Sequence, residues 1–255
     1  MLSSKPSDWI VRFNPNPKAS VRLYCFPFAG GSAHNYRTWP KLVPAEIEVC
    51  AIELPGRGRR MQEPLFKSLP LLVDAIASVL QMDCDRPFAF FGHSMGALIS
   101  FELVRCLRHH NQPLPTVLAI SGRRPPQFFP DAPTIHQLPE SQFWSEIQAL
   151  GGTPKVLIDN EELRQLFFPI IQADFTLIET YTYTWEKPLE YPITAYTGEQ
   201  DSEVNATQLE QWQLQTDKEF SMKIFPGAHF YINSYTEEVV QDLIPRFLDR
   251  LNTGE

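Results

Sequence analysis

The sequence is poor in the features that mark metal-binding, disulfide-linked and nucleotide-binding proteins. Its four cysteines have no CxxC pairing and no histidine at zinc-binding spacing, which argues against both a metal knuckle and a disulfide framework. We expect Cys25, Cys50, Cys84 and Cys106 to be structural free thiols. The phosphate-cradling motifs GxxxxGK(S/T) and GxGxxG are also absent. We therefore expect neither a metal ion nor a bound cofactor.

Long apolar runs and an excess of positive charge are missing as well. The longest uncharged apolar segment, Pro87 to Phe101, is interrupted by glycines and falls short of the roughly 20 residues that span a bilayer. Near the N-terminus, Asp8 lies where a secretory signal would need an unbroken apolar stretch of about 7 to 15 residues. Lys and Arg number 22 against 30 Asp and Glu, a net charge of −8. This balance argues against nucleic acid or an anionic membrane as the main partner, and we expect a cytoplasmic protein.

What is present indicates a globular α/β protein. The 255 residues are 43% hydrophobic and 20% charged, which is enough apolar material for a large core. Short apolar runs rich in β-branched and aromatic residues alternate with segments of helical period, which predicts a mostly parallel, doubly wound sheet. The predicted strands are Val21–Phe26, Ile47–Leu54, Phe88–Phe91, Val117–Ser121, Ile193–Thr197 and Met222–Phe225.

Three helices are predicted between and after these strands. Apolar residues at helical spacing predict an amphipathic helix over Leu65–Leu80, and the nearly all-apolar Met95–Leu107 suits a buried helix. A last helix is predicted over Glu237–Leu251, with Thr236 as its N-cap. Pro245 within it should produce a kink.

The stretch from Arg123 to Pro188 breaks the alternation of strands and helices. It opens with RRPPQFFPDAP, is rich in aromatic residues, and has helix-like patches at Ser141–Leu150 and Glu161–Thr180. Because it is longer than a connection between two strands requires, it indicates a lid or a small subdomain. We expect a core formed by residues 1–122 and 189–255, with a helical lid insertion at 123–188.

The strongest functional motif is PFAFFGHSMGALISFELV. An apolar strand runs into Gly92-His93-Ser94-Met95-Gly96 and then directly into a helix, which is the context of a G-x-S-x-G nucleophile elbow in an α/β-hydrolase fold. A side chain at either glycine would collide with the neighbouring strand or helix. Ser94 would lie at the helix N-terminus, where partial positive charge favours a developing anion. Ser94 is thus the predicted nucleophile.

A serine hydroxyl needs an adjacent base whose tautomer is fixed by a carboxylate. In this fold class the chain order is serine, acid, histidine, with the last two on loops after late strands. Of six histidines only His229, in MKIFPGAHFYI, follows a late strand. His109 and His110 lie at a predicted helix end, where a charge-compatible structural role is expected. We expect His93, within the elbow, to point elsewhere.

The acid is predicted on the loop that follows ITAYT. Asp201, in Gly198-Glu199-Gln200-Asp201, lies at the carboxyl edge of the sheet where the sites of open α/β folds gather. Glu199 is the alternative. Asp174 and Asp131 fall in the insertion and are less favoured.

Attack on a carbonyl creates an oxyanion that needs two preorganised N–H donors. One should be the backbone N–H of Met95, the residue after the nucleophile. The other should come from the glycine-containing loop Phe26–Ser32, where the Ala29 N–H is favoured and Phe28 is the alternative. An ordinary glycine-rich turn would explain the same loop without catalysis.

In their order and spacing these motifs closely resemble those of the type II thioesterases that accompany modular peptide and polyketide synthases. The elbow alone would fit many esterases, whereas the combination of FPFAGGSA with LPGRGRR is specific. The matching segments are FPFAGGSA at Phe26–Ala33, ELPGRGRRMQEP at Glu53–Pro64, FGHSMGA at Phe91–Ala97, SGRRPP at Ser121–Pro126, TGEQD at Thr197–Asp201 and FPGAHFYI at Phe225–Ile232.

The resemblance implies a serine enzyme that hydrolyses acyl thioesters from the phosphopantetheine arm of carrier proteins, clearing misprimed or stalled chains. The carrier protein would supply the phosphopantetheine, and the enzyme itself would be a monomer without a cofactor. The family's acid loop usually reads Gly-Asp-x-Asp; here Glu199 replaces the first Asp, which puts only its supporting role in doubt. The arginines of LPGRGRR could touch the carrier or its phosphate arm, or could anchor their own loop through salt bridges.

Other functions remain open from the sequence. A small-molecule esterase or an acyltransferase would use the same triad, and the acyl preference cannot be deduced. The aromatic residues of the insertion could line an acyl pocket or form the core of the lid. A catalytically idle binding protein on this scaffold is disfavoured, because Ser94, Asp201 and His229 are all present.

Overall fold

A computed structural model of the chain describes residues 5–128 and 134–253. Seven strands form one sheet in the order β1-β3-β2-β4-β5-β6-β7, in which β1 is antiparallel to β3 and every other pair is parallel. The strands are β1 (Ile10–Val11), β2 (Val21–Phe26), β3 (Ile47–Ile52), β4 (Phe88–His93), β5 (Leu118–Ser121), β6 (Ile193–Gly198) and β7 (Phe220–Phe225). Each of the six predicted strands is present; Val21–Phe26 matches at both ends, and no end of the others differs by more than two residues. The two-residue β1 carries too short a pattern to be predicted.

Eight α-helices lie in the described part of the chain. They are α1 (Pro6–Trp9), α2 (Leu69–Gln81), α3 (Met95–His109), α4 (Glu140–Leu150), α5 (Lys155–Asp159), α6 (Glu161–Glu179), α7 (Ala206–Glu210) and α8 (Thr236–Thr253). The predicted start of α2 at Leu65 is wrong by four residues. Pro70 lies in the first turn, where its missing N–H costs nothing, so the helix begins just before it.

The start of α8 also differs from the prediction. Thr236 belongs to the helix, and its hydroxyl donates back to the Ile232 carbonyl at 2.6 Å, so it does not act as the N-cap. Pro245 lies inside the helix as expected from the sequence. The inward face of α8 packs against the sheet through Val240, Leu243, Ile244 and Phe247.

Apolar residues cover both faces of the sheet, as a parallel sheet requires. On β2, Tyr24 and Phe26 belong to one core cluster and Leu23 and Cys25 to the other, which follows from the alternation of side chains along a strand. All four cysteines are free thiols, and Cys25 and Cys50 are buried. No helix among residues 5–128 and 134–253 has the length and apolarity to span a membrane.

The Arg123–Pro188 stretch contributes α4, α5 and α6. It has an apolar cluster of its own, built on Phe143, Trp144, Ile147 and Ile171. Ring contacts such as Phe143 to Phe168, with centroids 4.9 Å apart, hold α4 against α6. At its other end α6 joins the main core through Leu177.

Candidate active site

The elbow after β4 holds Ser94 in a rare backbone conformation. Its φ of 53° and ψ of −113° place a non-glycine residue in a region that L-residues seldom adopt. The Ser94 N–H donates to the Ser121 carbonyl at 2.8 Å, which ties the turn to the end of β5. Every residue from Phe88 to Phe101 is buried except Ser94, which is partly exposed. The turn therefore presents one hydroxyl to the carboxyl edge of the sheet.

The glycines on either side are required by close packing, as predicted. A Cβ on Gly92 would lie 2.1 Å from the Gly96 carbonyl oxygen, and one on Gly96 would lie 2.1 Å from the Phe26 carbonyl oxygen. Helix α3 thus starts in direct backbone contact with the end of β2.

Asp201 and His229 form a buried pair at the same edge. Both carboxylate oxygens lie within hydrogen-bond distance of His229 Nδ1, at 3.0 and 2.9 Å. The carboxylate also accepts hydrogen bonds from the N–H groups of Glu203 and Val204 and from the Thr197 hydroxyl. The Asp201 side chain is fully buried and that of His229 is 6% exposed. This arrangement fixes the orientation of the imidazole and leaves Nε2 as the ring nitrogen for proton transfer.

Glu199, the alternative acid, is exposed, whereas Asp201 and His229 are buried. Its backbone N–H donates to the Phe225 carbonyl, while the neighbouring Gln200 N–H donates to the Gly227 carbonyl. These bonds join the acid loop to the histidine loop, and the geometry favours Asp201 as the acid. Asp174 serves another purpose, described below, and Asp131 lies outside the described residues.

His93 was expected to point away from the site, but its ring packs against the candidate base. The His93 and His229 ring centroids are 5.0 Å apart. His93 Nδ1 lies 2.8 Å from the Ser121 hydroxyl, which is 2.6 Å from the Tyr231 hydroxyl. Burial, and secondly the charge of His229, holds the pKa of His93 well below its usual range, so the ring stays neutral.

Sequence reasoning missed this His93–Ser121–Tyr231 chain. The one available signal was the position of His93 next to Ser94 at the end of a buried strand. The elbow and the histidine loop also meet at Gly122, which follows β5. A Cβ added to this glycine would lie 2.6 Å from His93 Cε1 and 3.2 Å from His229 Cε1, so both imidazole rings lie next to it. Ser94 and His229 therefore lie on the same small region of the sheet edge.

The predicted oxyanion loop follows β2 and forms a tight turn. The Gly31 N–H donates to the Phe28 carbonyl at 2.8 Å, and Gly30, third in the turn, has a φ of +74°, as a type II turn requires. Within the part of the chain that the structure describes, the N–H groups of Ala29 and Met95 have no acceptor. Both are thus available to a ligand.

The arginines of LPGRGRR are mostly engaged inside the protein. Arg57 makes a bidentate ion pair with Asp174 of α6, at 2.8 and 2.7 Å. Arg60 pairs with Glu63 and lies 3.7 Å above the ring of Trp9. Arg59 alone is exposed. For Arg57 and Arg60 the structure favours the loop-anchoring interpretation over a direct contact with a carrier.

The described aromatic residues of the insertion differ in their surroundings, and two of them, Tyr181 and Tyr183, pack against the main core. Phe143, Trp144, Phe168 and Phe175 pack on one another and form the core of the insertion. Trp185 is 76% exposed. For the cluster around Phe143 the structure favours the lid-core interpretation over an acyl-pocket lining. No group of three or more His, Cys, Asp and Glu side chains among the described residues could hold a metal ion.

Comparison with known proteins places this site in a family. The profile described as thioesterase domain matches residues 21–247, nearly the whole chain. The chain belongs to the thioesterase family. The Gramicidin S biosynthesis protein GrsT of Aneurinibacillus migulanus is 40% identical over 238 residues, which cover 93% of each chain. The thioesterase prediction and the hydrolase class are therefore confirmed.

Solved structures of thioesterases support the same conclusion. ClbQ from the colibactin NRPS/PKS pathway superposes with a TM-score of 0.86 at 32% identity, over 93% of this chain and 100% of that one. The type II thioesterase BorB from the borrelidin biosynthetic cluster gives a TM-score of 0.84 at 32% identity, over 95% and 98% of the two chains. The predicted α/β-hydrolase fold and the resemblance to type II thioesterases are confirmed.

Proposed function

We propose that this thioesterase removes acyl groups from the phosphopantetheine arm of carrier proteins in a peptide or polyketide synthase. The observation that carries the proposal is the buried Asp201–His229 pair beside the strained Ser94 elbow, in a chain related along nearly its full length to GrsT and BorB. The site supplies the chemistry of acyl transfer to water, and the relatives supply the class of substrate.

The triad acts in two half-reactions. Ser94 Oγ attacks the thioester carbonyl carbon while His229 Nε2 takes its proton, and Asp201 stabilises the resulting imidazolium. The tetrahedral intermediate collapses, the C–S bond breaks, and His229 returns the proton to the departing thiol. A water molecule, deprotonated by His229, then attacks the acyl-serine, and the free acid leaves as Ser94 regains its proton.

Two backbone N–H groups stabilise the oxyanion of each intermediate. Met95 supplies one from the first turn of α3, where the helix dipole adds positive potential. Ala29 supplies the other from the turn after β2. Removing one such donor from a site of this type costs about 10² to 10³-fold in kcat.

The substrate brings its own phosphopantetheine, so the enzyme needs no cofactor for these steps. Residues 123–188 serve as the helical lid over the acyl chain, with residues 1–122 and 189–255 as the catalytic core. The enzyme acts as a monomer on one carrier domain at a time, in the cytoplasm where the synthase works.

The decisive test compares four substrates: an acyl-phosphopantetheinyl carrier protein, the acyl-CoA, a pantetheine thioester and a p-nitrophenyl ester. We expect the highest kcat/KM with the carrier-bound thioester, and Ser94→Ala serves as the blank. Equal or faster turnover of the free esters would leave the triad in place but assign the protein to the general esterases.

A further inference from the structure

A buried ion pair joins the insertion to the turn that carries the second oxyanion donor. Asp174 of α6 is 1% exposed, and the Arg57 side chain is 5% exposed. The Asp174 carboxylate accepts hydrogen bonds from both Nη groups of Arg57. It also accepts one from the Gly30 N–H, with an N···O distance of 2.8 Å. Arg57 Nη1 in turn donates to the Gly31 carbonyl at 3.0 Å. The pair thus holds the turn by one N–H and one carbonyl.

Packing along α6 reinforces the same contact. Ile171 lies three residues before Asp174, on the same face of the helix. A Cβ on Gly30 would lie 3.1 Å from Ile171 Cγ1, so α6 sits directly on the glycine of the turn. Ala29, the proposed donor, is the residue immediately before this glycine.

Stability alone does not account for the pair. The attraction between two buried charges must offset the free energy lost when both leave water. An apolar pair of similar volume often stabilises a fold equally well. The Arg57 Nε–H, moreover, is buried without an acceptor among the described residues. The carboxylate, on the other hand, is the group that fixes the orientation of the Gly30 peptide, which an apolar side chain could not do.

We infer that Arg57 and Asp174 are positioning residues for hydrolysis, through which the seating of α6 on the turn Phe28–Gly31 holds the Ala29 N–H in the oxyanion hole. The inference rests on the proposed catalytic function, because it assigns Ala29 as a donor. The position of the insertion and the competence of the oxyanion hole are then coupled through one carboxylate.

The test separates folding from positioning by replacing both charges. Replacing either residue alone by a neutral one strands a buried charge and destabilises the protein whatever the role of the pair. The double variant Arg57→Met/Asp174→Leu removes both charges, puts apolar side chains in their place, and leaves the Gly30 N–H without its acceptor. The control is Arg105→Met/Glu186→Leu, which removes an ion pair between a buried arginine at the far end of α3 and a partly buried glutamate. Glu102 and Arg108, which also pair with these two residues, are partly exposed and keep contact with water.

Four quantities are measured for each protein: the melting temperature, kcat and KM with a pantetheine thioester, and inhibition by an alkylboronic acid. A boronic acid adds to the serine as a tetrahedral anion and so reports on the oxyanion hole. For Arg57→Met/Asp174→Leu we expect a melting temperature near wild type, little change in KM, kcat lower by at least about tenfold, and boronic acid inhibition weakened in parallel. For the control variant we expect kcat and boronic acid inhibition to stay at wild-type levels.

The results that would overturn the inference are distinct from those that would overturn the function. Wild-type kcat and boronic acid affinity in the folded double variant would mean that the pair is structural only, as would an equal loss in the control. If the double variant does not fold, Arg57→Lys decides, because it keeps the charge but loses the bidentate fork. Its kcat should fall while its melting temperature stays near wild type, and an unchanged kcat would refute the positioning role. Absence of any turnover by the wild type would instead remove the proposed function itself.

Discussion

Ser94 is the single partly exposed residue between Phe88 and Phe101, and it lies at the start of a buried helix. Replacing Ser94 with Ala should lower kcat by about 10⁶-fold, because the triad acts as a unit. Hydrolysis of a pantetheine thioester measures this, with circular dichroism to show that the variant is folded. Substantial residual hydrolysis by a folded variant would remove Ser94 from the mechanism.

The choice between two acidic residues is also decided at this scale. Asp201→Asn should reduce kcat by about 10⁴-fold, since the amide would favour the wrong histidine tautomer. Glu199→Gln is the matched control, and its activity should stay near wild type because Glu199 is exposed. The reverse pattern in the same assay would assign the acid to Glu199.

The buried His93 ring should make the stability of the protein depend on pH. Its pKa is held well below the usual range, first by burial and then by His229. The native ring stays neutral while the unfolded chain takes up a proton below about pH 6.5. The stabilisation is therefore complete above that pH and declines by about 1.4 kcal/mol per unit as the pH falls. Urea unfolding at pH 7, 6 and 5 should show a shallower decline for His93→Gln, and equal slopes would contradict the assignment.

Single residues differ in how far the sequence predicts them. Ser94, Asp201 and His229 were predicted because each follows a strand with a recognisable pattern, and parallel strands bring their carboxyl ends to one edge. His93 was misjudged, since the direction of a side chain at the end of a strand depends on the neighbouring loops. The Arg57–Asp174 pair spans 117 positions in the chain, and no local pattern reports such a contact.

Secondary-structure elements were predicted where their apolar pattern is long. The strands of the core and helix α3 match to within about two residues, which is the expected uncertainty of such boundaries. The misplaced start of α2 reflects leucine periodicity that continues past the proline-defined boundary. The seating of α6 on the turn after β2, and the packing of α4 on α6, depend on long-range contacts, and the sequence indicated only that helices occur there.

The junction of α3 with β2 gives a prediction for an element. Gly96→Ala would place a methyl group 2.1 Å from the Phe26 carbonyl oxygen, so the helix must move off the strand. We expect a loss of at least about 1 to 3 kcal/mol of unfolding free energy, and a larger relative loss of kcat because Met95 moves with the helix. Gly151→Ala is the control: it meets no atom within 4 Å, although its φ of +75° carries some strain. Urea unfolding with parallel kinetics would distinguish them, and an unimpaired Gly96→Ala would show that the contact is dispensable.

The net charge of −8 is a property of the whole molecule with consequences for encounter with a carrier. An acidic carrier protein would be repelled at long range. At 0.1 M salt the repulsion between charges more than about 10 Å apart is largely screened. Raising NaCl from low to physiological concentration should therefore increase kcat/KM for a carrier-bound substrate, while a neutral pantetheine thioester is unaffected. A decrease with the carrier would instead reveal a local basic patch that dominates docking.

The backbone at Ser94 has a consequence for how such a chain can change over generations. A serine held at φ 53° and ψ −113° carries backbone strain that glycine would avoid, and conformations of this kind cost about 1 to 3 kcal/mol. We expect glycine at this position to increase the free energy of unfolding and to abolish hydrolysis. Selection for hydrolysis therefore opposes selection for stability at this position. A descendant that is no longer selected for hydrolysis would gain stability by replacing the nucleophile with glycine.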